Sequence, residues 1–338
     1  MNQMTAIEPN GGTAVTADAQ KIFEPSRQWR GGIAAAAAWL ATAVVIAGWP
    51  DLTPWSRTRL FAMIALAAAI AVLILGVFGG RSERLQRVRR LGPWFVALAA
   101  IVAVWEILTA KTGVLPLPFF PPPQSILEVY TDDSGRLVES IYRSLLLLVP
   151  GYLIGAAAGF STGVAVGWSR SVSYWAHPVL RFLGPLPATA WLPIAFFVFP
   201  GTASASTFLI ALSTAFPVAV LTASGIGSVG SAFYDVARTL GASKSFLVTK
   251  VAIPAALPHV FVGLFMGLSA SFAVLIVAEM MGVKAGLGWY LQWAQGWAAY
   301  ANLYAALIIM ALLFSGLISL LFFARDSVLA WQKGIVRW

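Results

Sequence analysis

Cysteine is absent from this 338-residue chain, which removes disulfides, thiolate metal sites and cysteine nucleophiles. Charge is scarce: 10% of residues are Asp, Glu, Lys or Arg, against about 25% in an ordinary soluble domain. There are two histidines, His177 and His259, each isolated at a helix start and read as structural. No carboxylate pair, His cluster or Ser-His arrangement is spaced for chemistry, so no catalytic set, metal site or cofactor is expected. The G-x-x-x-x-G-K-[S/T] phosphate loop is missing, so the chain is not itself a P-loop ATPase. What remains is apolar: 59% hydrophobic residues and a mean hydropathy of +0.81. An all-α bundle in lipid is the class that fits.

A spanning helix needs roughly 20 apolar residues. Eight stretches qualify, near Ile33–Trp49, Leu60–Phe78, Trp94–Ala110, Ser144–Trp168, Val179–Phe199, Thr207–Ala223, Ala255–Met281 and Leu303–Ala324. The polar residues 1–30 read as a disordered cytoplasmic tail, and no apolar run sits early enough for a signal peptide. Residues 31–80 form an accessory pair of spans, 81–92 (with RSERLQRVRR) a basic linker, 93–325 a six-helix core and 326–338 a C-terminal tail.

The net charge of +9 raises the question of nucleic acid, and its distribution answers it. With the N-terminus in the cytoplasm, 16 of the 22 Lys and Arg residues fall on the inner side. That bias is the positive-inside rule. The basicity therefore reports topology, with both termini cytoplasmic, and no nucleic-acid partner is expected.

Between the fourth and fifth core spans lies a polar stretch, YDVARTLGASKSFLVTKVAIPAALP, Tyr234 to Pro258. Asp235, Ala237, Gly241 and Ile253-Pro254 fill the pattern acid-x-Ala, Gly four residues on, nine residues, aliphatic, one residue, aliphatic-Pro. Gly241 is expected to break a short helix over Phe233–Leu240, because glycine accepts φ > 0 at a helix end. A second helix over Ser243–Val251 follows, with Pro254 in the first turn of the next span. Small Ala237 and Ala242 allow close approach, and Arg238 offers charge. The preceding Gly225–Gly230 matches G-x-G-x-x-G; a membrane span leads into it instead of a strand, so no dinucleotide site is expected.

This stretch resembles the EAA loop of ABC importer permeases. Asp235 and Val236 stand where Glu and Ala are usual. The run LGPLPATAWLPIAFFVFPGTASASTFLIALSTAFPVAVLTASGIGSV, and AEMMGVKAGLGWYLQ after the fifth core span, look like the permeases for nitrate, bicarbonate, taurine and other sulfonates. The resemblance runs from about Gly92 to the C-terminus. It implies a type I, binding-protein-dependent importer in the bacterial inner membrane. It also implies a permease dimer with a second subunit, two separate ABC ATPase subunits and an extracytoplasmic solute-binding protein. The coupling loop, 225–254, then contacts the ATPase through Asp235, Ala237, Arg238, Gly241, Ala242, Ile253 and Pro254. A small anion is the solute the resemblance suggests.

Three further features bear on mechanism. Gly151, Gly155, Gly159, Gly163 and Gly167 line one helix face, a groove for close helix approach. The third core span is expected to be broken by Pro178, Pro185, Pro187 and Pro193, with Gly184 and Trp191 between them. Irregular backbone at membrane depth is tolerated where it is buried or lines a cavity, so these residues border either the pathway or the bundle interior. Glu279 ends an apolar run. It is either a pathway carboxylate or a structural acid at the outer interface; Glu106 is a weaker case. Val114–Gln124, rich in proline, reads either as a stiff outer docking loop or as a connector. An ion-gradient transporter would call for paired acids and inverted repeats, and neither is visible. A non-transport assembly protein would not need the loop.

Overall fold

The computed structural model describes residues 29–78, 88–89, 91–184 and 186–331. The expected N-terminal tail up to residue 28, most of the expected basic linker, Pro185 and residues 332–338 lie outside the described residues. Among those described, the chain is all helix, and seven helices are long and apolar enough to cross a membrane. Two compact units emerge, one of residues up to 116 with 122–124, the other of 117–121 with 125 onward.

The first unit holds α1 (Arg30–Gly48), α2 (Thr58–Phe78) and α3 (Gly92–Glu106), the last extended by a wide π-helical turn, Ile107–Lys111. It therefore takes in the first expected core span as well as the N-terminal pair. Small residues let α1 and its neighbours approach closely: Ala35 and Ala36 pack with Val72 and Phe95, and Ala43 and Ile46 with Ala65. The Thr42 hydroxyl donates to Ala38 O at 2.9 Å within α1 and contacts Ala99 O of α3 at 3.3 Å.

The second unit contains most of α4 (Pro123–Asp132), then α5 (Ser134–Trp168) and α6 (Arg170–Leu183). A 3-10 turn, Ala188–Trp191, leads into the short α7 (Leu192–Val198). There follow α8 (Thr202–Gly227), α9 (Ser231–Thr239), α10 (Ile253–Gly282), α11 (Leu287–Gly296) and α12 (Tyr300–Val328). At 1.5 Å per residue α5 is about 52 Å long, well beyond a hydrocarbon core of about 30 Å. It starts ten residues before the expected span because Ser134–Arg143 is helical too, with the Arg143–Glu139 pair on its surface at 3.4 Å.

The expected span Val179–Phe199 does not form as one helix. Proline lacks the N–H that would bond four residues back, and the helix ends at Leu183 before Pro185. Pro178, expected to break the span, instead lies inside the helix Arg170–Leu183, whereas Pro187 is extended, at φ −63° and ψ 136°. Pro193 falls in the first turn of α7, where proline is tolerated. The 114–124 segment is non-helical through Pro122, with Phe119 packed 5.1 Å from Tyr300.

The core of the second unit is α8 held between α5 and α10. The five glycines of α5 face α8 along its length. A Cβ at Gly155, Gly159 or Gly163 would collide with the carbonyls of Ala211, Ala215 and Ala219, one turn apart. Gly263 and Gly267 of α10 lie against α8 at Val218 and Thr214. Leu148, Leu209, Ile210, Leu275 and Ala278 fill the space toward α7, where Leu192 and Ala195 join them.

Candidate functional site

The loop after α8 is a tight elbow. Gly225 and Gly227 lie within α8 and Gly225 packs on Ala256 and His259 of α10; no strand precedes them, as expected. The helix α9 closes on a Schellman motif. The Ala242 N–H donates to Ala237 O at 3.0 Å and the Gly241 N–H to Arg238 O at 2.9 Å, while Gly241 takes φ +81°. Ala237, Arg238, Gly241 and Ala242 are therefore parts of one turn. Ser243 then caps the next helix, its hydroxyl accepting from Phe246 N at 3.3 Å.

That next helix differs from expectation. It runs without interruption from Lys244 through α10, 39 residues in all. Pro254 falls in the first turn of α10, as expected, but the chain before it is already helical, through the π-helical stretch Leu247–Ala252. A π turn changes the ladder by one residue, and proline, which brings no N–H, follows one residue later. Ile253 is half-buried beside it.

Asp235 accepts from Arg238 at 3.3 Å; both side chains are about two-thirds exposed, so the pair contributes little to stability. Phe233, Val236 and Leu240 share one face of α9 and are strongly exposed, Leu240 at 82%. The opposite side is anchored: the Tyr234 ring meets Trp168 edge-on at 5.8 Å, beside Ile226, Ala252 and Ala256.

The broken third span borders a cavity of about 540 Å³. Pro187, Thr189 and Trp191 line it together with Thr162 of α5 and Ser213 and Phe216 of α8. Its described lining carries three hydroxyls and no charged side chain. Pro187 and Trp191 thus meet at one void; Pro193 and Glu279 do not line it, and Pro185 lies outside the described residues.

Glu279 lies elsewhere, fully buried near the end of α10. Its Oε2 accepts from the Gly288 N–H at 2.7 Å, in the first turn of α11. The Leu287 N–H donates to the Ser144 hydroxyl at 2.9 Å. Carboxylate and hydroxyl together satisfy two of the free N–H groups that open a helix. Gly286, at φ +126°, and Gly288 pass so close that a Cβ on either would strike the Glu279 side chain.

Two arrangements escaped the sequence reading. Tyr290 of α11 is buried; its hydroxyl donates to Asp133 at 2.7 Å and accepts from Asn302 at 2.7 Å. Burial pushes that hydroxyl well above the usual tyrosine range. In the first unit the Lys111 ammonium donates to Ile46 O at 3.0 Å, Trp49 O at 2.6 Å and Asp51 at 2.6 Å, with Glu106 at 3.5 Å. Gln124 donates to Glu106 at 3.1 Å. Partners this far apart in sequence leave no local pattern.

A family model for the inner membrane component of binding-protein-dependent transport systems matches residues 151–330. The nitrate import permease NrtB of Synechococcus elongatus is 31% identical over 180 residues, 51% of this chain and 64% of that protein. The chain thus aligns with under two thirds of that relative's length. The bicarbonate transport permease CmpB of the same organism is 31% identical over 199 residues, covering 55% of this chain and 71% of that protein. A solved inward-facing methionine ABC transporter, MetNI, overlays with a TM-score of 0.47 at 17% identity, covering 60% of this chain and 97% of that one. The matched region runs from the glycine face of α5 through the broken span and the elbow to α12, more than half of the chain. The chain belongs to the family of binding-protein-dependent transport system inner membrane components.

Proposed function

We propose that this chain is the permease subunit of an ATP-driven importer. It carries a small anion, of the nitrate, bicarbonate or sulfonate kind, delivered by an extracytoplasmic solute-binding protein. Nitrate and bicarbonate are the solutes named for two relatives. The α9 elbow seats on a separate ATPase subunit, and two such subunits serve a permease dimer whose second copy completes the pathway begun at the Trp191 cavity. In this reading the termini face the cytoplasm, which the charge bias supports.

The observation that carries this reading is the elbow. Phe233, Val236 and Leu240 are exposed on a helix whose other side is fixed by Tyr234 and Trp168. Burying each such side chain in a partner is worth roughly 1.5–3 kcal/mol, while the Schellman turn holds the helix at a set angle. Affinity purification of the tagged full chain tests it. An ATPase subunit should accompany the wild type and be lost from Leu240→Asp. An unchanged ATPase yield with Leu240→Asp removes the elbow from the interface.

A further inference from the structure

The helix α6 is sharply two-sided. Arg170, Ser173, His177 and Arg181 recur along one face of its 14 residues. On the other, Trp175, Val179 and Phe182 are exposed, Trp175 at 76%. A helix with arginines on one side and bare aromatics on the other suits the plane of a membrane interface. It begins directly after α5, the Ser169 hydroxyl capping it by accepting from Val172 N at 3.4 Å.

Each side of this helix borders a groove. The polar side, with the last turn of α5, encloses about 830 Å³ lined by Trp168, Arg170, Ser173, Tyr174, His177 and Arg181. Among the described residues no carboxylate lines it, and neither Arg170 nor Arg181 has an ion-pair partner there. Ser173 and His177 lie 3.2 Å apart within it. The other groove, about 510 Å³, runs between Thr162 of α5 and Val172, Trp175 and Val179, and is almost wholly apolar.

We propose that these two grooves form a site for an anionic phospholipid. Two guanidinium groups and a hydroxyl take the phosphate, as arginine forks do elsewhere, and the apolar groove takes an acyl chain. A free anion would use the first groove and leave the second without a role. Trp168 belongs to the basic groove and also to the Tyr234 contact of α9. The lipid therefore sits one side chain away from the elbow, on the same side of the membrane.

Native mass spectrometry of the full chain in neutral detergent tests this, with palmitoyl-oleoyl phosphatidylglycerol and phosphatidylcholine supplied in equal amounts. The wild type should retain phosphatidylglycerol in preference. Arg170→Gln with Arg181→Gln should lower that retention by roughly tenfold or more, since each basic residue near the surface contributes separately. The paired lysine variant, which keeps the charge but not the fork, should retain more than the glutamine pair and less than the wild type. Millimolar glycerol 3-phosphate should not displace the lipid. Equal retention of the two lipids by the wild type overturns the proposal, and that comparison stands even if the glutamine pair fails to fold. Displacement by glycerol 3-phosphate would make the site one for soluble anions and overturn the lipid assignment.

Discussion

The Lys111 ammonium lies 2.6 Å from the Asp51 carboxylate, with the lysine side chain fully enclosed and the aspartate 8% exposed. Sixty residues separate them in sequence. The lysine leaves the end of α3 and reaches the turn that joins α1 to α2, where two backbone carbonyls also receive it. An unpaired charge is costly away from water, so this contact ties α3 to the N-terminal pair. The sequence expectation of an accessory hairpin says nothing of such a tie.

Breaking the tie on one side should be severe. Lys111→Met leaves Asp51 without its cation, and loss of about 3–5 kcal/mol is expected. Thermal unfolding of the purified chain in detergent measures it. Deleting residues 1–80 should likewise lower yield, because Lys111 loses Ile46, Trp49 and Asp51. Adding Lys111→Met and Glu106→Gln to the deletion should restore yield. ATPase co-purification with that rescued form then decides whether the pair is accessory to coupling.

Gly241 needs its φ of +81° but has open space around it: a Cβ would meet nothing within 4 Å. Gly241→Ala should therefore cost only the left-handed strain, about 1–2 kcal/mol. Gly241→Trp should remain inserted yet lose the ATPase, because its ring occupies the space a partner would enter. Full ATP-driven uptake by Gly241→Trp would refute the coupling role.

Glu279 should prove a packing acid. Glu279→Gln keeps an acceptor for the Gly288 N–H, so yield and uptake should both stay close to wild type. Glu279→Ala strands that buried N–H and should cost about 1–3 kcal/mol, with yield and uptake falling together. Uptake lost at normal yield in the glutamine variant would instead place the charge in the transport step.

The Tyr290 hydroxyl joins α11 to Asp133, just ahead of α5, and to Asn302 of α12. Tyr290→Phe removes both bonds and leaves Asn302 and Asp133 each short of a partner. A loss of about 1.5–3 kcal/mol is expected, as for hydrogen bonds to charged groups. Tyr234→Phe serves as the control: its contact with Trp168 is between rings, and its thermal midpoint should be unchanged.

The long apolar helices, the left-handed Gly241 and the break before Trp191 were all legible in sequence. Each depends on a local property: hydropathy over one span, the missing Cβ, the missing proline N–H. The helix α6 carried a readable signal as well, Arg170, Ser173, His177 and Arg181 at helical spacing, but the apolar residues from Val179 onward suggested a continuous span. Lys111 with Asp51, and Tyr290 with Asp133, were out of reach. A single charged or phenolic residue at a helix end does not announce which distant carboxylate it will meet. Glu279 was visible as a buried acid, yet its meaning depended on Gly286 and Gly288 folding back over it.

The glycine face of α5 constrains how this chain moves. Where Gly155, Gly159 and Gly163 meet the carbonyls of α8, the two helices mesh like a rack, backbone against backbone. The side chains that press on the same glycines, Thr214, Val218 and Thr222, are all β-branched and have little rotamer freedom to shear. Sliding would lift one ridge over the next, a step of about 5.4 Å. The pair is therefore expected to tilt as a single girder. No single helix crosses the proline-rich joint around Pro187 and Trp191, so bending the cavity wall would cost least there.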